Sequence, residues 1–200
     1  MKVDISKNIR ESYDLYRHNF MTLILATLVA AVGSVVTAGI LAGPLTGGLL
    51  MLCLKRMRGE EAGVNEVFAY FHKIVPTLLI VVAMWVVMLI TAALGSIPVI
   101  GFLFQIIAGP AVGILFILAI GLIVERDLEP RAALEQALRC FMTNPLMIWL
   151  YSFVIGLLSG IGALLFVIPV ILTMPFGVIG MAIVYRDLSN QEANALTIKL

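Results

Sequence analysis

Residues Ile74–Val124 read IVPTLLIVVAMWVVMLITAALGSIPVIGFLFQIIAGPAVGILFILAIGLIV, with no Lys, Arg, Asp or Glu anywhere in the run. A helix rises about 1.5 Å per residue and the hydrocarbon core of a bilayer is about 30 Å thick, so one crossing needs about 20 residues. The stretch therefore holds two crossings and a turn. Two more uncharged stretches flank it, His18–Leu54 and Cys140–Tyr185. All 13 Lys and Arg and all 12 Asp and Glu fall in the short windows between and outside these stretches.

The composition agrees with that pattern. Of the 200 residues, 62% are hydrophobic and 12% charged, whereas a soluble domain carries roughly 25% charge. A formal net charge of +1 gives no electrostatic reason to expect a nucleic-acid partner. Cys53 and Cys140 show neither disulfide nor metal-site spacing and read as membrane-boundary residues. The first apolar run starts only at Phe20, after Asp4, Glu11 and Asp14, and more apolar runs follow, so it is read as a retained span rather than a cleaved leader.

Cys140–Tyr185 also has room for two crossings. His18–Leu54 is tighter, with two helices of about 17 residues around a turn at Thr37–Gly39, and a re-entrant hairpin is the alternative there. Turns are expected at Thr37–Gly39, Gly95–Gly101 and Gly160–Pro169. None carries a charge, so every charged residue lies on one side, which the positive-inside rule makes cytoplasmic. The expected fold is all-α: a six-helix transmembrane bundle with both termini cytoplasmic, in a single domain spanning residues 1–200.

The hairpins read as copies of one unit, roughly 1–58, 59–126 and 127–188, with 189–200 as a cytoplasmic tail. Gly43-Pro44-Leu45-Thr46-Gly47 aligns with Gly109-Pro110-Ala111-Val112-Gly113, and more loosely with Pro175-Phe176-Gly177. The three prolines are 66 and 65 residues apart. Each second helix ends in a charged exit: Arg58-Gly59-Glu60, Arg126-Asp127-Leu128, Arg186-Asp187-Leu188. Before each hairpin comes an amphipathic segment: Ile5, Ile9, Tyr13, Tyr16 and Phe20; then Val64, Phe68, Phe71 and Val75; then Leu134, Leu138 and Phe141 behind Pro130. Helical spacing in each predicts a cytoplasmic amphipathic helix, of a kind that can lie at headgroup level and whose blander role is to connect and anchor the spans. Ser189 and Glu192 have capping-box spacing, which predicts a further short helix in the tail.

An amphipathic lead-in, a hairpin whose second helix opens Gly43–Gly48, then Arg58–Glu60 and the aromatic Phe68–Phe71, with Asn144-Pro145 and Ile168-Pro169 further on, resembles a broad group of uncharacterised bacterial integral membrane proteins. It is similar too to the membrane domain attached to some glycerophosphodiester phosphodiesterases. The resemblance implies a fold and a bacterial inner-membrane location, and no activity. The third unit departs from it, with Pro175-Phe176 in place of Gly-Pro.

A charge inside a span is the usual pointer to an ion path or proton relay, and none occurs here. Gln105 is the strongest polar group in a span, a possible lining residue whose blander role is a hydrogen bond between helices. His18 and His72 both stand where a hairpin begins, without a nucleophile or a metal-site motif beside them. Glu60 and Glu61 adjoin Lys55, Arg56 and Arg58 in a solvated charge cluster. No catalytic, metal or cofactor residue is assigned. The residues singled out are those of helix kinks or packing: Gly43, Pro44, Gly47, Gly109, Pro110, Gly113, Gly156, Gly160, Pro175 and Gly177. Proline inside a helix breaks a hydrogen bond and builds substrate sites in transporters, whereas small residues four apart let helices pack closely.

The sequence thus predicts a non-catalytic scaffold or accessory protein that binds lipid or partner helices, in its own oligomer or in another membrane protein. The alternative is a small transporter or channel for a neutral or lipidic solute, using the proline-kinked helices. A polar cavity around the prolines and Gln105 favours transport. A dry bundle with a lateral apolar groove favours binding.

Overall fold

The computed structural model describes the backbone of residues 5–95, 100–164 and 167–197, and the surroundings of side chains 8–93, 104–159 and 173–190. All regular structure among them is helical: α1 (Ile5–His18), α2 (Phe20–Val36), α3 (Ala42–Met57), α4 (Ile74–Gly95), α5 (Ile100–Arg126), α6 (Pro130–Thr143), α7 (Pro145–Leu164) and α8 (Val167–Thr197). Of the expected turns, residues 96–99 and 165–166 lie outside the described residues, and around the latter the chain is helical up to Leu164 and again from Val167. Two helical segments, Val64–Ala93 and Phe104–Arg126, are long and apolar enough to cross a membrane, and up to four are if each bent pair α1–α2 and α6–α7 counts as one span.

The first turn lies where the sequence places it. Ala38 and Gly39 adopt left-handed backbone, φ 49° and 83°, and the Thr37 hydroxyl bridges the two helix ends. It donates to Gly33 O at 2.7 Å and accepts from Leu41 N at 3.2 Å. The helices beside the turn are short. α2 has 17 residues and α3 has 16, each about 25 Å long.

α3 is the centre of the molecule. Leu45, Leu49, Leu50, Leu52 and Leu54 are all at most 4% exposed, and α3 packs on α2, α4, α5 and α8. The other two second helices bring their charged-end halves to it, Ile114–Val124 of α5 and Ile179–Leu188 of α8. Glycines set the spacing. A methyl group at Gly47 would come within 2.5 Å of Val124 Cγ2 on α5, and one at Gly121 within 2.7 Å of Tyr185 Cδ2 and 2.8 Å of Leu50 Cδ2. Close approach of this kind supplies van der Waals packing where lipid supplies no hydrophobic drive between helices.

Two of the three lead-in segments are helices, as their spacing predicts, and the second is not. α1 and α6 are helices, and they meet α2 and α7 at 95° and 100°. Pro130 stands at the start of α6, where its missing N–H has no partner to lose. The second lead-in is not an amphipathic α-helix but two short 3₁₀ turns, Val64–Phe68 and Phe71–Lys73. Tertiary contacts override its helical spacing. The backbone of Val67 lies directly against Gly48, Arg56 Nε donates to Ala62 O at 2.9 Å, and Lys55 Nζ sits 2.8 Å from Glu66 Oε1. The tail also departs from expectation, because α8 runs unbroken past Ser189 to Thr197 and no new helix starts there.

Candidate functional site

Two regions gather the singled-out residues, one apolar and one charged. The apolar region surrounds Pro110. Proline has no N–H to offer the carbonyl four residues back, so the Ile106 carbonyl lacks its usual helical donor. α7 braces the adjoining turn from outside: Trp149 Nε1 donates to Ile107 O at 2.7 Å and Ser152 Oγ to Pro110 O at 2.8 Å. Trp149 also stacks on Phe153, with ring centres 5.2 Å apart.

Beside this brace a groove of about 370 Å³ opens between α5 and α7, floored by Met181 of α8. Gln105, Gly109, Pro110, Gly113, Phe153 and Gly156 line it. A second cavity of about 230 Å³ lies on the other flank of α5, against Met84, Met88 and Thr91 of α4, and it shares Gln105, Gly109 and Gly113 with the first. Among the described residues, no charged side chain lines either one. Gln105 is exposed and lies 21 residues before Arg126, about 31 Å along the helix. That is nearly the length of the candidate span Phe104–Arg126 itself, so the amide stands at its far end rather than midway along it.

The glycines divide into two sets. A methyl group at Gly43 would meet Thr77 Cβ at 2.7 Å, and Gly47 is closed by Val124. Gly177 is closed by the Ser159 side chain. These are packing contacts. Around Gly109, Gly113 and Gly156, by contrast, nothing among the described residues lies within 4 Å of the Cβ position. All three instead line the groove. Pro44 falls in the first turn of α3, where no helical bond is lost, so it does not interrupt its helix. Pro110 and Pro175 lie inside α5 and α8. The surroundings of Gly160 lie outside the described residues.

The charged region joins the ends of the second helices. Arg58 Nη2 lies 2.5 Å from Glu125 Oε1, and Tyr185 OH donates to Glu125 Oε2 at 2.7 Å, so α3, α5 and α8 meet on one carboxylate. Arg126 Nη2 donates to Ser189 O and Oγ at 2.9 and 2.7 Å. Arg186 pairs with Glu11 and with Asp187, at 2.8 Å for the latter, and Asn8 Nδ2 donates to Asp187 Oδ2 at 3.2 Å. α1 is thereby fastened to α8 through its polar face. Hydrogen bonding to Glu11 raises the Arg186 pKa. Lys73 pairs with Asp127 and holds its carboxyl below the usual carboxylate range.

Sequence reasoning missed Gly121, Tyr151 and Tyr185 as packing centres, and Trp149 and Ser152 as the brace. Only the three-residue spacing of the last two hinted at a shared face. His18 bonds Asp14 O of its own helix at 2.7 Å, and His72 lies beside Tyr70, with ring centres 6.2 Å apart. Among the described residues, no group of three or more His, Cys, Asp and Glu could hold a metal ion.

The fold and these regions define an all-helical chain with the build of a membrane protein. No family model matches it, and neither does any curated protein or solved structure.

Proposed function

We propose that this chain is a non-catalytic, multi-pass protein of the bacterial inner membrane, a scaffold or accessory subunit that receives an apolar chain in the groove between α5 and α7. The occupant is a lipid tail or a helix of a partner, which includes a second copy. The observation that carries the reading is the open glycine face. Among the described residues, Gly109, Gly113 and Gly156 have no neighbour within 4 Å and no charged side chain lines the groove, and bare small-residue faces are what lipid chains and approaching helices fill.

In this reading six segments cross, as three hairpin units with both termini on the charged, cytoplasmic side. Support comes from the charge-free stretches, from the convergence of α3, α5 and α8, and from matched local geometry. Gly59 and Asp127, which follow the exit arginines of the first two units, both adopt left-handed backbone, φ 79° and 57°. The near-perpendicular bends before the first and third hairpins also correspond. With helices of about 25 Å, the first hairpin crosses only where the bilayer thins around it. The resemblance to bacterial integral membrane proteins supports the location.

The apolar lining favours binding over passage of a polar solute. The test is purification in native lipid discs, followed by mass spectrometry of what stays bound, for the unaltered chain and for Gly113→Leu. A stoichiometric lipid or polypeptide lost on substitution is the expected result. Equal retention by both proteins overturns the groove as the site.

A further inference from the structure

We propose that α6 is a lipid-surface helix, with Leu134 and Leu138 set into the acyl boundary and Arg131 and Arg139 placed at the phosphates of the headgroup layer. This rests on the membrane reading above and adds a site to it. α6 divides into three stripes whose members recur at three- or four-residue steps, as positions on one helix face do.

The first stripe, Ala133, Ala137 and Cys140, is at most 6% exposed and holds α6 to the bundle. The second, Leu134 and Leu138, is apolar yet 38% and 40% exposed, whereas Met142, seven residues on from Glu135, falls on the charged side. The third is Arg131, Glu135 and Arg139, whose side chains are 91%, 52% and 78% exposed. A free helix in water has no use for the second stripe, and a buried helix has no room for the third. Their order around the helix is protein, apolar, charged, which is the order a helix meets when it rests against a protein at the edge of a bilayer.

The direction of α6 agrees. It turns by 100° from α7, so where α7 crosses the bilayer α6 runs close to its plane. Leu134 reaches down to a small cavity with Ile80, Val112, Leu115 and Phe116 of the crossing helices, which sets the apolar stripe on the hydrocarbon side. Glu135 lies 3.2 Å from Arg131 and 3.9 Å from Arg139. It thus holds both arginines in one row, and the row keeps a net positive charge to meet lipid phosphate. Their long stems let the guanidinium groups reach the headgroups while the chain backbone sits lower. α1 is not such a helix, because Asn8, Ser12 and Glu11 turn its polar side into the bundle.

The test uses spin labels on cysteines in the full chain, in vesicles of phosphatidylethanolamine and phosphatidylglycerol. Cys53 and Cys140 are buried at 0% and 6% exposure, and the unaltered chain serves as the blank. Labels go on Leu134→Cys, Leu138→Cys and Glu135→Cys, with Leu89→Cys on α4 as the reference for a lipid-facing crossing. The proposal expects collisions with oxygen at 134 and 138 to exceed those at 135 several-fold, and collisions with a water-soluble nickel chelate to show the reverse order. Chelate access at all α6 positions, with oxygen access kept at 89, overturns the lipid contact and leaves the membrane reading standing. Labels at 134 and 138 shielded from both reagents mean that a protein covers the stripe, which also overturns it. Chelate access at 89 as well removes the membrane reading itself. Leu134→Cys decides the matter if Leu138→Cys does not fold.

Discussion

Arg58, just past the end of α3, and Glu125, near the end of α5, meet at 2.5 Å across 67 residues of sequence. Tyr185 of α8 donates to the second oxygen of the same carboxylate. The Arg58 side chain is 48% exposed, whereas Tyr185 is only 1% exposed. The two partners therefore lose different amounts when the carboxylate goes. Arg58→Ala is expected to cost under about 1 kcal/mol, as half-exposed ion pairs do. Glu125→Ala strands a buried phenol and is expected to cost about 1–3 kcal/mol. Melting in detergent compares them, and equal losses would place the energy in the ion pair instead.

Tight and open glycines should respond in opposite ways. Gly121→Ala drives a methyl group into Tyr185 and Leu50, and overpacking of that kind costs about 1–3 kcal/mol. Gly109→Ala and Gly113→Ala meet open space and gain helix propensity, so they are expected to be neutral or to stabilise by up to about 1 kcal/mol. A fall in melting temperature for all three substitutions would mean that the groove is already filled by this chain.

The pH dependence at Lys73 and Asp127 has a defined sign. The Asp127 carboxyl is held low by Lys73, so the link contributes above the unfolded carboxylate value, about 3.9, and is lost as pH falls through the lower folded value. Carbon-13 NMR of the Asp127 carboxyl should show titration below that value, and Lys73→Met should move it back up. A midpoint that ignores Lys73→Met would show the pair to be open in solution.

At the first turn, Gly39 combines left-handed backbone with contact to the Trp85 ring. Gly39→Ala faces the left-handed conformational penalty of about 1–2 kcal/mol and pushes the indole aside as well. Lower stability with shifted tryptophan fluorescence is expected. A change in stability without a spectral change would assign the whole effect to the backbone.

Much of the fold is legible because charge cannot be hidden in lipid. The run Ile74–Val124 alone yields α4 and α5, and the turn at Thr37–Gly39 follows from its length and its glycine. The second lead-in misleads because Val64, Phe68 and Phe71 carry helical spacing while the chain is held elsewhere by Val67 at Gly48 and Glu66 at Lys55. The candidate site was half readable. Gly43-x-x-x-Gly47 and Gly109-x-x-x-Gly113 are the same pattern, yet the first packs and the second stays open. Spacing shows that a backbone can be approached, and it does not show which neighbour arrives. The brace of Trp149 and Ser152 joins α7 to carbonyls that no side-chain pattern marks.

The groove itself is tested most directly by a photoreactive diazirine side chain in place of Leu157, which is 54% exposed and lines the cavity. Irradiated in native membranes, it should form adducts with lipid or with a second polypeptide. A water adduct alone, with the chain folded, would contradict the account.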